Sequence, residues 1–144
     1  MMANAPTQIR LFAFRLDLHS GVPVYRQIID QVMGGIASGL LTPGDQLPTV
    51  RQVAVDLAIN PNTVSRAYRE LEIRRVLETQ QGTGTFIGNQ QVKRDQVEHR
   101  RQLDQLVSEF VARAGAAGFT VRDLLKQLHD LQSELQGDPK TRRK

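Results

Sequence analysis

Cysteine is absent from the 144 residues, which excludes disulfides, thiolate chemistry and any Cys-ligated zinc or iron–sulfur site. A reducing cytosol fits that absence. No apolar run approaches the roughly 18 residues that span a bilayer. Residues 1–6 do not open a basic segment leading into a long apolar one, so no signal peptide and no membrane partner are expected. Neither a repeat nor a low-complexity tract is visible. His19, His99 and His129 are scattered and lack a metal-ligand spacing such as His-x3-His. No serine occupies a strand-turn-helix nucleophile elbow. The expectation is a protein that is not an enzyme, with no catalytic residue, no metal and no cofactor.

What is present is ordinary for a globular chain, 40% hydrophobic and 24% charged residues with a net charge of +4. That charge permits a polyanionic partner without demanding one. Residues 1–90 hold 8 basic and 7 acidic residues, and residues 91–144 hold 11 and 8. Four of the last five residues are basic (Lys140, Arg142, Arg143, Lys144), which reads as a solvated tail. Any case for nucleic-acid binding must therefore rest on local geometry.

Along the chain, Phe12, Phe14, Leu16 and Leu18 alternate with Ala13, Arg15, Asp17 and His19, which predicts a short half-buried strand. Pro23 is expected in the first turn of a helix that runs from Val24 to Leu40, with apolar residues at 25, 28, 29, 32, 36 and 40. Gly34-Gly35 inside it implies either a close backbone approach or a bend. Thr42-Pro43-Gly44-Asp45 fits a type II turn. Thr49 and Gln52 form a capping box for a second helix of about nine residues, faced by Val50, Val53, Ala54 and Leu57. Asn60-Pro61 starts a third helix to about Arg74, with Val64, Ala67, Tyr68 and Leu71 inward. Two strands, Val76–Gln80 and Thr85–Gly88, are joined by Gln81-Gly82-Thr83-Gly84. Beyond Gly88 the pattern is helical only. Leu103, Leu106, Val107, Phe110, Val111 and Ala114 form one stripe, closed by Gly115 and Gly118. Val121, Leu124, Leu125, Leu128, Leu131 and Leu135 form another, capped by Thr120 with Asp123 and stopped by Gly137-Asp138-Pro139.

Two helices joined by a short turn and followed by a hairpin make a winged helix-turn-helix pattern. On the third helix Asn62, Ser65, Arg66 and Arg69 form a polar stripe opposite the apolar one, suited to a major groove about 12 Å wide. Asn62 and Thr63 lie in the first turn, where recognition helices meet base edges, and free N–H groups there suit a phosphate. Arg51 points away from the apolar face of the second helix. Gly82 lets the hairpin approach a sugar–phosphate surface. Taken singly, each feature has a bland counterpart: a polar stripe is usually a wet face, Glu70 and Arg74 are an ordinary i, i+4 pair, and the two glycines can serve the turn alone. Their ordered combination is what points to DNA.

Leu47-Pro48-Thr49-Val50-Arg51 through Val53-Ala54, Asn60 to Val64, Ala67-Tyr68-Arg69-Glu70-Leu71-Glu72 and Gly82-Thr83-Gly84-Thr85-Phe86 resemble the winged-helix domain of GntR-type transcriptional regulators. Val22 to Ile28, with the segment before it, and the short all-helical C-terminus resemble the YtrA-type branch. The likeness covers about residues 12–136. It implies a dimeric bacterial DNA-binding regulator, cytoplasmic and nucleoid-associated, most often a repressor and often of membrane-transporter operons. By position it implies DNA contacts at Arg51, Asn60, Asn62, Thr63, Ser65, Arg66 and the wing at Gln81 and Gly82. Arg75 stands where many members have Gly, and Pro61 and Ser65 replace arginines of other branches.

The expected fold is therefore mostly α with a small β wing. Residues 1–11 are a poorly ordered extension, 12–88 a winged helix-turn-helix and 89–144 a two-helix dimerisation segment. The last 56 residues are too few for a core of their own, so Leu103, Leu106, Phe110, Leu124, Leu128 and Leu131 are assigned to a homodimer interface; the alternative is that these helices fold back on the same chain. Any small-molecule effector would have to fit a small site or the dimer interface. The reading is a homodimeric regulator on a pseudo-palindromic double-stranded operator. The rival is a winged-helix protein–protein interaction module without DNA sequence specificity.

Overall fold

The computed structural model describes residues 11–89 and 95–135, the last of these by its backbone alone. The chain divides between residues 90 and 91 into two compact units. The expected N-terminal extension, except Leu11, and the stop at Gly137-Asp138-Pro139 with its basic tail lie outside the described residues.

The first unit contains α1 (Val24–Ala37), β1 (Gln46–Leu47), α2 (Val50–Leu57), α3 (Pro61–Ile73), β2 (Leu77–Gln80) and β3 (Gly84–Ile87). The strands form one antiparallel sheet in the order β1-β3-β2, with Gln46 opposite Phe86 and Thr79 opposite Thr85. Strand β1, two residues long, is too short to leave a period in the sequence. The core joins Ile28, Ile29 and Val32 of α1, Val53 and Ala54 of α2, Val64, Ala67, Tyr68 and Leu71 of α3, and Leu47, Leu77 and Ile87 of the sheet. All four inward positions expected on α3 are buried.

The strand expected over residues 12–19 does not form. Its alternation holds only as far as Asp17: Phe14 is buried, Phe12 and Leu16 are half-buried and Ala13, Arg15 and Asp17 are exposed, but Leu18, expected inward, is exposed. What pairs with the backbone is a column of glutamine side chains instead of a strand. Gln31 accepts from the Arg15 N–H at 2.8 Å and donates to the Arg15 carbonyl at 2.7 Å. Gln27 does the same for Asp17, both bonds at 2.9 Å. A side-chain amide offers the donor and acceptor of a peptide. Residues i and i+4 of a helix rise about 6 Å, close to the span of about 6.6 Å between alternate strand residues.

Other departures are local. Pro23 is the N-cap of α1, one place before its first turn. Helix α1 stops at Ala37, short of Leu40, because Gly39 turns left-handed at φ +81°. Gly35 is a close approach: a Cβ there would sit 2.8 Å from Leu41 Cδ1, whereas the space around Gly34 is open. Thr49 accepts from the Gln52 N–H at 3.1 Å, yet the Gln52 amide donates to Asp56, so the capping box is half formed.

Helix α3 ends with Arg75 at φ +60°, and the Val76 N–H reaches back to the Leu71 carbonyl at 2.9 Å. That is a Schellman ending with a non-glycine residue in its left-handed place. Arg75→Gly is expected to stabilise the protein by about 1 kcal/mol and raise its melting temperature a few degrees. Urea and thermal unfolding measure this; an unchanged or lowered midpoint contradicts it.

The second unit consists of α4 (Gln96–Ala116) and α5 (Val121–Leu135). Asp95 caps α4, and the Thr120 N–H donates to Asp123 while the Asp123 N–H donates to Thr120 Oγ1, a complete box at α5. Those bonds hold the Asp123 carboxyl below the usual carboxylate range. The two helices do not pack along each other. Ala114 is the one buried residue among the described side chains of this unit. Leu103, Leu106, Phe110, Leu128 and Leu131 are exposed and Leu124 is half-buried.

Candidate nucleic-acid interface

The turn between α2 and α3 fixes the candidate interface. Ala58 takes a left-handed conformation at φ +54° and Asn60 caps α3, its Oδ1 accepting from the Asn62 N–H at 2.8 Å. The Tyr68 hydroxyl, buried, donates to the Pro48 carbonyl at 2.6 Å and so ties α3 to the residue preceding the α2 cap. Burial pushes the Tyr68 phenol well above its ordinary range.

The expected side chains on α2 and α3 are open to solvent or half-buried. Asn62, Arg66 and Arg69 are exposed along α3, with Thr63 and Ser65 half-buried beside them. Arg51 is exposed in the first turn of α2. Among the described residues no carboxylate lies within ion-pair distance of Arg51, Arg66 or Arg69, whereas Arg26 pairs with Asp30 at 3.4 Å and Arg74 with Glu70 at 3.7 Å. Arg51, Arg66 and Arg69 are thus among the described arginines of this unit that carry their charge without an ion-paired carboxylate, as are Arg15 and Arg75.

One expectation fails at the start of α3. Pro61 has no N–H, the Asn62 N–H is held by Asn60 Oδ1, and the Thr63 N–H is held by the Asn60 carbonyl at 3.0 Å. The first turn thus has no free backbone N–H for a phosphate at these three positions, and any donor there must come from a side chain, such as the Asn60 or Asn62 amide or the Thr63 hydroxyl.

The wing is braced at its stem and open at its tip. Thr79 of β2 donates to Glu72 of α3, and its hydroxyl meets that of Thr85 across the ladder at 3.5 Å. Gln46 Nε2 donates to the Thr83 carbonyl at 3.3 Å, over a Gly84 that has no side chain to displace it. At the tip Gln81 and Gly82 are exposed, and Gly82 adopts φ +76° with open space around it. The bracing contacts of Gln46, Glu72 and Thr79 leave no sequence signal, because each joins residues that belong to different segments. Tyr25 lies on the apolar stripe expected for α1, but its partner does not show in the sequence: the ring lies 3.8 Å beneath the Arg66 guanidinium carbon. Among the described residues no group of three or more His, Cys, Asp or Glu side chains could hold a metal ion, and no helix is long and apolar enough to cross a membrane.

A helix-turn-helix with a braced wing, its outward helix lined by unneutralised arginines, defines a DNA-binding transcriptional regulator. The model of the bacterial regulatory proteins of the gntR family matches residues 24–87. The chain is 36% identical over 127 residues to the HTH-type transcriptional repressor YtrA of Bacillus subtilis, covering 88% of this chain and 97% of that protein. Among solved structures it is similar to a transcriptional antiterminator from Listeria monocytogenes, with TM-score 0.65, 28% identity, and 88% and 94% of the two chains covered. It is also similar to YtrA from Sulfolobus acidocaldarius, with TM-score 0.51 and 32% identity over 69% of this chain and 97% of that one. The chain belongs to the GntR family and is a YtrA-type regulator.

Proposed function

We propose that the protein represses transcription as a homodimer on a pseudo-palindromic operator. In this reading residues 12–88 bind DNA and residues 89–144 make the dimer, through Leu103, Leu106, Phe110, Leu124, Leu128 and Leu131. Helix α3 enters the major groove, where Asn62 and Thr63 meet base edges and Arg66 and Arg69 take guanine or phosphate, with Ser65 between them. Arg51 and the Asn60 amide hold the backbone, and Gln81 and Gly82 reach the minor groove. A dimer places its two recognition helices about 34 Å apart or a multiple of that. Such a protein works at the cytoplasmic nucleoid.

The observation that carries this reading is that Arg66 and Arg69 of α3 and Arg51 of α2 are exposed and, among the described residues, have no carboxylate partner. Repression draws its support from the name of the B. subtilis relative. The test is fluorescence anisotropy with duplexes selected from the host genome. Neutralising several phosphates per dimer should cost at least about a hundredfold in affinity between 50 and 200 mM salt. A flat salt dependence would favour the protein–protein interaction module instead.

A further inference from the structure

We infer that Tyr25 is a positioning residue for Arg66, presenting that guanidinium to DNA in a set orientation; this rests on the operator-binding reading above. Tyr25 sits in the first turn of α1, half-buried and packed against the core. Arg66 is exposed in the second turn of α3, with its Cζ 3.8 Å from the centroid of the Tyr25 ring. Among the described residues Arg66 has neither an ion-pair nor a hydrogen-bond partner, so the ring is the contact that holds its head group. Among the described residues no aromatic ring lies beneath Arg51 or Arg69.

The chemistry suits presentation. A guanidinium is planar and its five N–H donors lie at its edges. Engaging its flat face with an aromatic ring restricts the long side chain and leaves those edge donors open for a base or a phosphate. A carboxylate partner would occupy the same donors and cancel the charge. The ring is itself anchored in the core, so the direction in which Arg66 points is inherited from the packing of α1 against α3. The side-chain entropy that an unrestrained arginine loses on binding DNA is then lost during folding.

Anisotropy on the genome-selected operator duplex tests this with Tyr25→Phe, Tyr25→Leu, Arg66→Ala and the Tyr25→Leu/Arg66→Ala double variant. Tyr25→Phe keeps the ring and should bind as the wild type does. Tyr25→Leu should weaken binding roughly two- to five-fold. Arg66→Ala should weaken it about tenfold or more, and adding Tyr25→Leu to it should cost nothing further. Equal costs of Tyr25→Leu with and without Arg66 overturn the inference. So does a loss with Tyr25→Phe as large as with Tyr25→Leu, which would place the hydroxyl itself on DNA. Should Arg66→Ala leave affinity intact while Arg51→Ala lowers it, this inference falls and the operator reading stands. Failure of the wild type to bind any duplex removes the operator reading itself. Because Tyr25→Leu can also loosen the core, the unmodified protein supplies a second measurement: the Arg66 Nε–H resonance should be displaced by the ring current. A shift typical of free arginine overturns the stack.

Discussion

Leu128→Asp is expected to give a protein that sediments as a monomer and binds a two-half-site operator at least about a hundredfold more weakly than the wild type. Leu128 is 52% exposed on α5, in line with Leu131, and α4 carries Leu103, Leu106 and Phe110 equally uncovered. Two amphipathic helices without a shared core do not hold themselves together in water, and an isolated helix of 15 residues is marginal. If a second copy covers these stripes, the substitution sets an unpaired carboxylate into the interface once from each subunit. Desolvating each costs several kcal/mol. Every residue of the winged-helix core lies between Phe14 and Ile87, so the recognition unit should stay folded and single half-site affinity should persist. Circular dichroism should register lost helix from the second unit at the same time. A dimer that survives Leu128→Asp in sedimentation contradicts the proposed interface.

The contrast between the two units also shows what a sequence discloses. Caps and periods are local, and they were readable: Thr49 and Asn60 cap α2 and α3, and Val64, Ala67, Tyr68 and Leu71 face inward at helical spacing. The polar stripe followed from the same period, because the face opposite a buried one is fixed by geometry. Periodicity names a face without naming its partner. The alternation expected over residues 12–19 therefore holds as far as Asp17 and fails at Leu18, while no strand forms, since the partner is a pair of glutamines on a helix. Side-chain contacts between distant segments stayed hidden for the same reason. Tyr25 beneath Arg66 and Gln46 against Thr83 bridge residues that no local pattern relates. The occupied N–H groups at the start of α3 were a matter of competition, because the cap that identifies the helix also consumes its free donors.

Tyr68→Ala is expected to remove about 3–5 kcal/mol of stability, a large share of what a domain of this size possesses. The side chain is 2% exposed, its ring tilts against Phe14 at 6.5 Å, and Phe14 meets Phe12 edge-on at 5.0 Å. Loss of the ring thus removes one contact of the N-terminal segment as well as opening the core, while Gln27 and Gln31 still hold its backbone. Tyr68→Phe separates the hydroxyl from the ring. It leaves the Pro48 carbonyl without its 2.6 Å donor and should cost about 1–3 kcal/mol. The hydroxyl also has a pH signature. Burial raises the folded-state phenol above the ordinary value near 10, so the neutral form is favoured in the native protein. Stability is then fully present below pH 10 and declines as pH rises past it, where the unfolded chain loses this proton and the folded chain keeps it. The slope approaches about 1.4 kcal/mol per pH unit for one such group. Urea unfolding at pH 8, 9.5 and 11 should show the wild type losing more stability with rising pH than Tyr68→Phe does. Parallel pH profiles of the two proteins would mean that the phenol ionises as readily in the native state as in the unfolded one. That outcome is incompatible with a donor buried against Pro48, and with it the tie that sets α3 against the start of α2 would be lost.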